Sequence, residues 1–388
     1  MKIACLAVGD ELLSGSVVNT NAAFISNKLN EKGYKTAFHA VIPDIVDEIE
    51  FVLLKVSKDF SFVIITGGLG STVDDITLLA INKLIGSNDK LQKEAVFFPN
   101  TIGHAKGIGF KVNQAFLCFL PGVPEEMEEM LQKSVIPYIE ERYPLEKKAI
   151  KEKVFLMLLK EKDVDPYICE LLKEFTEVKA GIYPFFGMLK LVFEVSDEKY
   201  SSQLNQFTKT IKEKFSTYVF SSNCKDIVQA TYELLVNKNE TIAFAESCTG
   251  GSLSFYLAQI PGASDAFVGG VVAYSNEIKQ NLLKVKKNTL DQYGAVSSQT
   301  VEEMALGLID KTGADYAIAT SGIAGPSGGS LEKPVGTVYI AIAQKKGFIY
   351  SGKIFAPGNR KTIISYTTNV AYGILFRKIS YNQEPFIL

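Results

Sequence analysis

The stretch Thr241-Ile-Ala-Phe-Ala-Glu246-Ser247-Cys248-Thr249-Gly250-Gly251 decides how this 388-residue chain is read. Thr241–Ala245 predicts a short buried strand. Leu253, Tyr256, Leu257 and Ile260, spaced i, i+3, i+4 and i+7, predict a helix directly after the glycines. A strand that passes into a helix through Ser-x-Thr-Gly-Gly places the serine at the carboxyl edge of an α/β sheet, where such sheets bind ligands. The glycines let a substrate approach the backbone, and free N–H groups of the helix start can stabilise a developing oxyanion. On local pattern alone, however, the stronger reading is that Ser247 and Thr249 merely cap the helix.

Outward from this run, residues 223–388 continue as α/β alternation, with strands expected at Thr241–Ala245, Phe267–Ala273, Tyr316–Thr320, Gly336–Ala343 and Phe348–Phe355. Residues 1–145 show the same rhythm. Ile3–Val8, Lys35–Ile42, Phe62–Thr66 and Phe116–Leu120 read as strands, with helical patterns near Asn21–Lys32 and Val46–Lys58. A mainly parallel sheet covered on both faces follows. Residues 146–222 are rich in Lys and Glu. They suggest a strand near Val154–Leu159, a helix near Pro166–Phe175, a strand near Met188–Val195 and a helix near Ser201–Phe215. The expected architecture is two three-layer α/β/α domains, 1–145 and 223–388, joined by a small α+β linking domain at 146–222.

Composition narrows the function. Lys plus Arg total 41 against 43 Asp plus Glu, for a net charge of −2. No global field therefore favours nucleic acid or an anionic membrane as a partner, and a nucleotide must be held by a local site. The first apolar run is too short for a secretory signal and meets Asp10 and Glu11 at once. No stretch approaches a membrane span, so a cytoplasmic protein is expected. The five cysteines (5, 118, 169, 224 and 248) are scattered and never spaced as Cys-x-x-Cys, a pattern of a reducing compartment that excludes a cysteine zinc site. The only histidines are His39 and His104, so any chemistry in the C-terminal half proceeds without imidazole.

Three further runs bear on Ser247. Gly269-Gly270-Val-Val-Ala-Tyr274-Ser-Asn-Glu-Ile-Lys279 is a second strand passing into a helix. A serine without histidine needs another base, and a lysine whose pKa is lowered by desolvation can serve. Tyr274 could relay a proton or hold the amine. Taken alone, Lys279 reads as a solvated helix lysine and Tyr274 as a rim aromatic. Ala319-Thr-Ser321-Gly322-Ile-Ala324-Gly325-Pro-Ser-Gly-Gly offers backbone N–H groups to an anion. Pro357-Gly-Asn-Arg360-Lys361 offers a cationic fork suited to phosphate, or a plain surface arginine near a helix start. Cys248 is a rival nucleophile, read more simply as a buried helix-start cysteine.

Together these runs resemble the C-terminal amidase domain of the competence-damage-inducible (CinA-like) proteins, over roughly residues 228–380. AESCTGG, GGVVAYSNEIK, TSGIAGPSGG and KPVGTVYIA carry the resemblance. It implies hydrolysis of nicotinamide mononucleotide to nicotinate mononucleotide and ammonia, without a cofactor. Ser247 would be the nucleophile, with Lys279 and Tyr274 its activating partners. Glu246, Thr249, Gly250, Gly251, Ser321, Gly322, Ala324 and Gly325 would line the nucleotide site, and Arg360 would meet the phosphate. Ser321 stands where the family usually has Thr, and Asn359 where it often has Asp.

A second set lies near the N-terminus: Val8-Gly9-Asp10-Glu11-Leu12-Leu13, Asn19-Thr20-Asn21, and Thr66-Gly67-Gly68-Leu69-Gly70-Ser71-Thr72-Val73-Asp74-Asp75-Ile76-Thr77. The glycine-rich turn suits phosphate, and adjacent carboxylates suit a hard divalent cation. An acidic first helical turn explains Asp74 and Asp75 equally well. With Leu120-Pro-Gly-Val-Pro-Glu-Glu126, these runs resemble the molybdopterin-binding-like domain of the same proteins. That resemblance implies ADP-ribose pyrophosphatase activity with Mg²⁺, Mn²⁺ or Co²⁺. It assigns Asp10, Glu11, Asn19, Gly67, Gly68, Thr72 and Asp74 to the nucleotide and Asp75 to the metal. The stretch from Thr77 to Asn100 is shorter than the family pattern, and His104 and Lys106 replace a Thr and a Pro, which predicts weakened or absent pyrophosphatase activity. The resemblance further implies a homodimer. The competing reading is a non-catalytic pterin- or nucleotide-binding, competence-related scaffold, which would be expected to lose at least one of Ser247, Tyr274 and Lys279.

Overall fold

The computed structural model describes residues 1–70, 76–86, 94–145, 149–221, 226–345 and 347–384. The chain divides into two compact units, residues 1–149 and 150–388.

In the first unit, β1 (Ile3–Val8), β2 (Thr36–Ile42), β3 (Phe62–Thr66), β4 (Val96–Phe98), β5 (Gly107–Val112) and β6 (Ala115–Leu120) form one sheet in the order β2-β1-β3-β6-β5-β4. The first four strands in that order are parallel, and β5 and β4 continue it antiparallel. This antiparallel edge was not apparent in the sequence. Alternate residues of the central strands go to opposite sides. Ile3, Cys5 and Ile64 pack with Ile25 and Leu29 of the helix Thr20–Glu31. Ala4, Leu6 and Ile65 pack with Ile49 and Leu53 of the helix Val46–Val56. Burial on both faces is why these strands read as unbroken apolar runs.

The second unit opens with β7 (Ile150–Met157), β8 (Lys179–Phe185), β9 (Met188–Val195) and β10 (Val219–Ser221), an antiparallel sheet in the order β10-β7-β9-β8. Strand β8 was missed because its sequence contains Gly181 and Pro184. It sits at the sheet edge, where a missing N–H is tolerated. The helix expected to begin at Pro166 starts five residues earlier, at Glu161, capped by Asp163 accepting from the Lys160 N–H. One face of this sheet packs on the helices Glu161–Leu171 and Ser201–Lys214. Phe155, Met157, Met188 and Phe220, by contrast, join the core formed around the helix Arg360–Tyr381.

The remaining strands, β11 (Ile242–Glu246), β12 (Phe267–Val272), β13 (Tyr316–Gly322), β14 (Thr337–Gln344) and β15 (Ile349–Phe355), form a sheet ordered β12-β11-β13-β14-β15. Strands β12, β11 and β13 are parallel, whereas β14 and β15 return antiparallel. The two faces differ in side-chain size. Ile242, Phe244, Ile318, Ile340 and Ile342 face the helices Ile227–Lys238, Ser252–Ala258 and Arg360–Tyr381. Ala243, Ala245, Ala317, Ala319, Ala341 and Ala343 face the helix Ser298–Thr312, and small side chains allow that helix a close approach. No helix among the described residues is long and apolar enough to cross a membrane.

Candidate active site

The chain leaves β11 at Glu246, a fully buried carboxylate. Its Oε2 accepts the N–H groups of Gly251 and Leu253, each at 3.0 Å. Its Oε1 accepts the Ser254 N–H at 2.9 Å and the Ser254 hydroxyl at 2.7 Å. Glu246 is therefore the cap of the helix Ser252–Ala258, which completes the orphan donors of that helix start. Three expectations change as a result. Glu246 builds the loop, with both carboxylate oxygens already engaged by the helix start. Ser247 and Thr249 are not the caps. Of the helix-start N–H groups expected to be free for an oxyanion, those of Gly251, Leu253 and Ser254 are already taken. Gly250 is exposed and Gly251 half-buried, with φ of 62° and 100°; these left-handed conformations turn the chain from strand to helix.

Held from below in this way, Ser247 donates its N–H to Thr320 O at 3.0 Å, and the Thr249 hydroxyl meets that of Thr320 at 2.8 Å. Lys279, on the helix Asn276–Leu283, is 1% exposed. Its Nζ lies 3.0 Å from Ser247 Oγ, 2.8 Å from Ala273 O and 3.1 Å from Tyr274 O. All three partners are uncharged, and burial pulls the lysine pKa below its ordinary value. A neutral amine has two N–H groups and one lone pair. With both carbonyls accepting, the lone pair is left for the serine O–H. Cys248 is also buried, and burial pushes its thiol up to about 12, which removes the thiolate a rival nucleophile needs.

Tyr274 contributes differently from what its phenol suggests. Its main-chain carbonyl holds the amine, while its hydroxyl accepts from Arg360 Nη2 at 3.0 Å, and the residue as a whole is 61% exposed. Arg360 Nη1 donates to Gly325 O at 3.0 Å. Asn359 caps the last helix by accepting the Thr362 N–H, the same task an Asp would perform there. Ser247, Lys279, Tyr274, Arg360 and Gly325 thus form one connected chain of hydrogen bonds. Two other expected lining residues turn their side chains into the protein. The Ser321 hydroxyl is buried and donates to Ala295 O at 2.7 Å, and Ala324 is packed in the core. Gly322 is half-buried at the end of β13, paired with Val338. Thr320 and the Ala273 carbonyl had no signal in the sequence, since one acts beneath the loop and the other through its main chain.

In the first unit a cavity of about 790 Å³ opens at the carboxyl ends of the parallel strands, lined by Glu11, Asn19, Gly67 and Gly68 among others. Asp10 is turned aside, exchanging caps with Asp44: the Asp10 N–H donates to Asp44 Oδ2 at 2.9 Å, and the Asp44 N–H to Asp10 Oδ1 at 3.3 Å. Thr72, Asp74 and Asp75 lie outside the described residues. The described lining carries the carboxylates Glu11, Asp44 and Glu126, with His104 and no Lys or Arg, so it supplies no permanent cation for a phosphate. Among the described residues no group of three or more His, Cys, Asp or Glu side chains could hold a metal ion. They do not by themselves form the divalent-metal site that the resemblance implies.

Residues 224–379 match the family model of the CinA C-terminal domain, and residues 4–141 that of a probable molybdopterin binding domain. A CinA-like protein of Shewanella sediminis is 33% identical, with 98% of this chain and 96% of the relative covered. The chain belongs to the CinA-like family. A putative competence-damage inducible protein of Clostridium novyi is also 33% identical, over 98% of this chain and 99% of its own. The alignment with the Shewanella CinA-like protein runs to 409 positions against the 388 residues here, so that relative carries residues with no counterpart in this chain. A crystal structure of the competence damage-inducible protein A of Klebsiella pneumoniae is 34% identical, and it aligns over 41% of this CinA-like chain and all of its own with a TM-score of 0.39.

Proposed function

We propose that the second unit is an amidohydrolase that converts nicotinamide mononucleotide to nicotinate mononucleotide and ammonia. The observation that carries this reading is the buried lysine amine 3.0 Å from a serine hydroxyl, with both neighbouring carbonyls arranged to accept its N–H groups. That arrangement supports acyl transfer by serine without histidine.

In the proposed reaction, Ser247 Oγ attacks the carboxamide carbon while Lys279 Nζ takes the hydroxyl proton. Collapse of the tetrahedral adduct breaks the carbon–nitrogen bond, and Lys279 passes the proton to the departing ammonia. Water then attacks the ester carbon, giving one proton to Lys279. The carbon–Oγ bond breaks as that proton returns to Ser247, and the acid that leaves ionises to the carboxylate by giving water's second proton to solvent. Arg360 has five N–H donors and uses two on Gly325 and Tyr274, which leaves three for a phosphate. The substrate class comes from the family resemblance together with this arginine.

The test is ammonia release by the full chain from nicotinamide mononucleotide, nicotinamide riboside and nicotinamide. The mononucleotide should be hydrolysed preferentially. Absence of release from all three would overturn the proposal.

A further inference from the structure

The helix Ser298–Thr312 carries a glycine, Gly307, in the middle of its buried face. Glycine weakens a helix interior relative to alanine, so its presence there calls for a packing reason. A methyl group built on Gly307 would lie 1.8 Å from the Leu283 carbonyl oxygen and 2.6 Å from its carbonyl carbon. Both are backbone atoms, so no side-chain movement can relieve the overlap. The two helices meet backbone to backbone at this point, and any side chain would force them apart.

Leu283 is the last residue of the helix Asn276–Leu283, about one turn beyond Lys279. The start of that helix is fixed by Ser275, whose hydroxyl oxygen accepts the Ile278 N–H. Its end is closed by the Val285 N–H, which donates to Lys279 O at 3.1 Å. Just beyond, Glu303 accepts from the Lys286 N–H at 2.8 Å and from the Thr289 hydroxyl at 2.9 Å. Glu303 and Gly307 are one turn apart on the same helix. That helix therefore holds the lysine-bearing segment at two points.

We infer that Gly307 and Glu303 are positioning residues for Lys279, together fixing how far the helix Asn276–Leu283 stands from the Ser247 loop and so seating Nζ against Oγ. Hydrogen bonds at 2.8, 3.0 and 3.1 Å from one amine leave little room for displacement of its helix. A helix pushed outward would draw the amine away from its carbonyls and admit water, which favours the ammonium form. The titratable groups on the elements around Lys279 are Glu246 and Cys248 on the serine's loop, Tyr274, Glu277, Lys284 and Lys286 on its own segment, and Glu302, Glu303, Asp310 and Lys311 on the facing helix, with Lys286 Nζ 3.8 Å from Glu303 Oε1. The function of Lys279 as a base rests on the proposed amidase reading; its placement by Gly307 does not.

The experiment uses the full chain labelled with ¹³C-lysine, the Lys279 signal being assigned by its loss in Lys279→Met, and needs no substrate. Gly307→Ala should raise the titration midpoint of Lys279 by about 0.5–1 unit, and Glu303→Gln should raise it by less. Ile309→Val, which removes a methyl from the same buried helix, should leave it in place. Ammonia release by Gly307→Ala should fall about tenfold or more in kcat with KM little changed. An unchanged midpoint in the folded variants, or an equal rise in Ile309→Val, overturns the inference. If circular dichroism shows Gly307→Ala unfolded, Glu303→Gln against Ile309→Val decides. If the wild type releases no ammonia yet the midpoints move as expected, the amidase reading fails and the positioning stands.

Discussion

Lys279 Nζ approaches Ser247 Oγ at 3.0 Å from a position where the Ala273 and Tyr274 carbonyls accept the two hydrogens of the neutral amine. This makes the hydroxyl, and not the neighbouring thiol, the group that can be activated. Ser247→Ala should lower ammonia release by on the order of 10⁴-fold or more, with the thermal transition of the protein retained. Cys248→Ala should keep most of the activity, because a thiol pushed up to about 12 is protonated at neutral pH. Steady-state assays of both variants check the pair. An inactive Cys248→Ala that folds normally, beside an active Ser247→Ala, would reverse the assignment.

The lysine predicts a pH dependence of defined sign. Burial lowers its folded-state pKa below the ordinary lysine value of 10.5, so in the window between the two the unfolded chain binds the extra proton. Stability should therefore rise with pH across that window, from the lowered folded pKa up to the unfolded value. Below the window the buried ammonium destabilises the fold by its full amount. Lys279→Met removes this term. Its melting temperature relative to wild type should be most favourable at the lowest pH tested and should lose ground as pH rises. The wild-type rate should rise with pH through the same lowered pKa, since only the neutral amine is a base. Parallel thermal scans and pH–rate profiles measure both. A stability difference independent of pH would contradict the burial argument.

The strands and the serine's turn were legible because burial on both faces writes apolar runs, as in Ile242–Glu246 and Phe62–Thr66. The Ser247–Lys279 pair was legible as residue types but not as a contact, since a separation of 32 positions says nothing of distance. What stayed hidden acts through main chain or from below. Tyr274 works through its carbonyl, Ser321 turns its hydroxyl to Ala295, and Glu246 sends both oxygens into the following helix. A carboxylate just before Ser-x-Thr-Gly-Gly reads as a ligand contact, because nothing local shows that the chain will fold back over it. Strand β8 was obscured for a different reason: Gly181 and Pro184 lower strand propensity, and only an edge position accommodates them.

Glu246 predicts a stability effect that the substrate-contact reading would not. Glu246→Gln keeps the shape but points an amide NH₂ at backbone donors now satisfied by a carboxylate. The variant should lose about 2–3 kcal/mol, read from the shift of the urea midpoint. A substrate contact at the site would instead raise KM without changing the midpoint. Ammonia release should fall as well, because the turn carrying Ser247 depends on the same carboxylate.

Arg360 and Tyr274 predict a selectivity effect with a measurable coupling. Arg360→Ala removes the donors proposed for phosphate. The preference for nicotinamide mononucleotide over nicotinamide riboside should then shrink by about 10- to 100-fold, mostly through KM. Tyr274→Phe deletes only the hydroxyl that accepts from Arg360 Nη2 and keeps the carbonyl that holds Lys279, so its effect should be no more than about fivefold. The hydroxyl acts through the arginine, so in an Arg360→Ala background the Tyr274→Phe change should have no further effect. A phenol that relayed protons to Lys279 would behave otherwise. Its loss would lower kcat in both backgrounds and by the same factor, and the double-mutant cycle on kcat and KM separates the two cases.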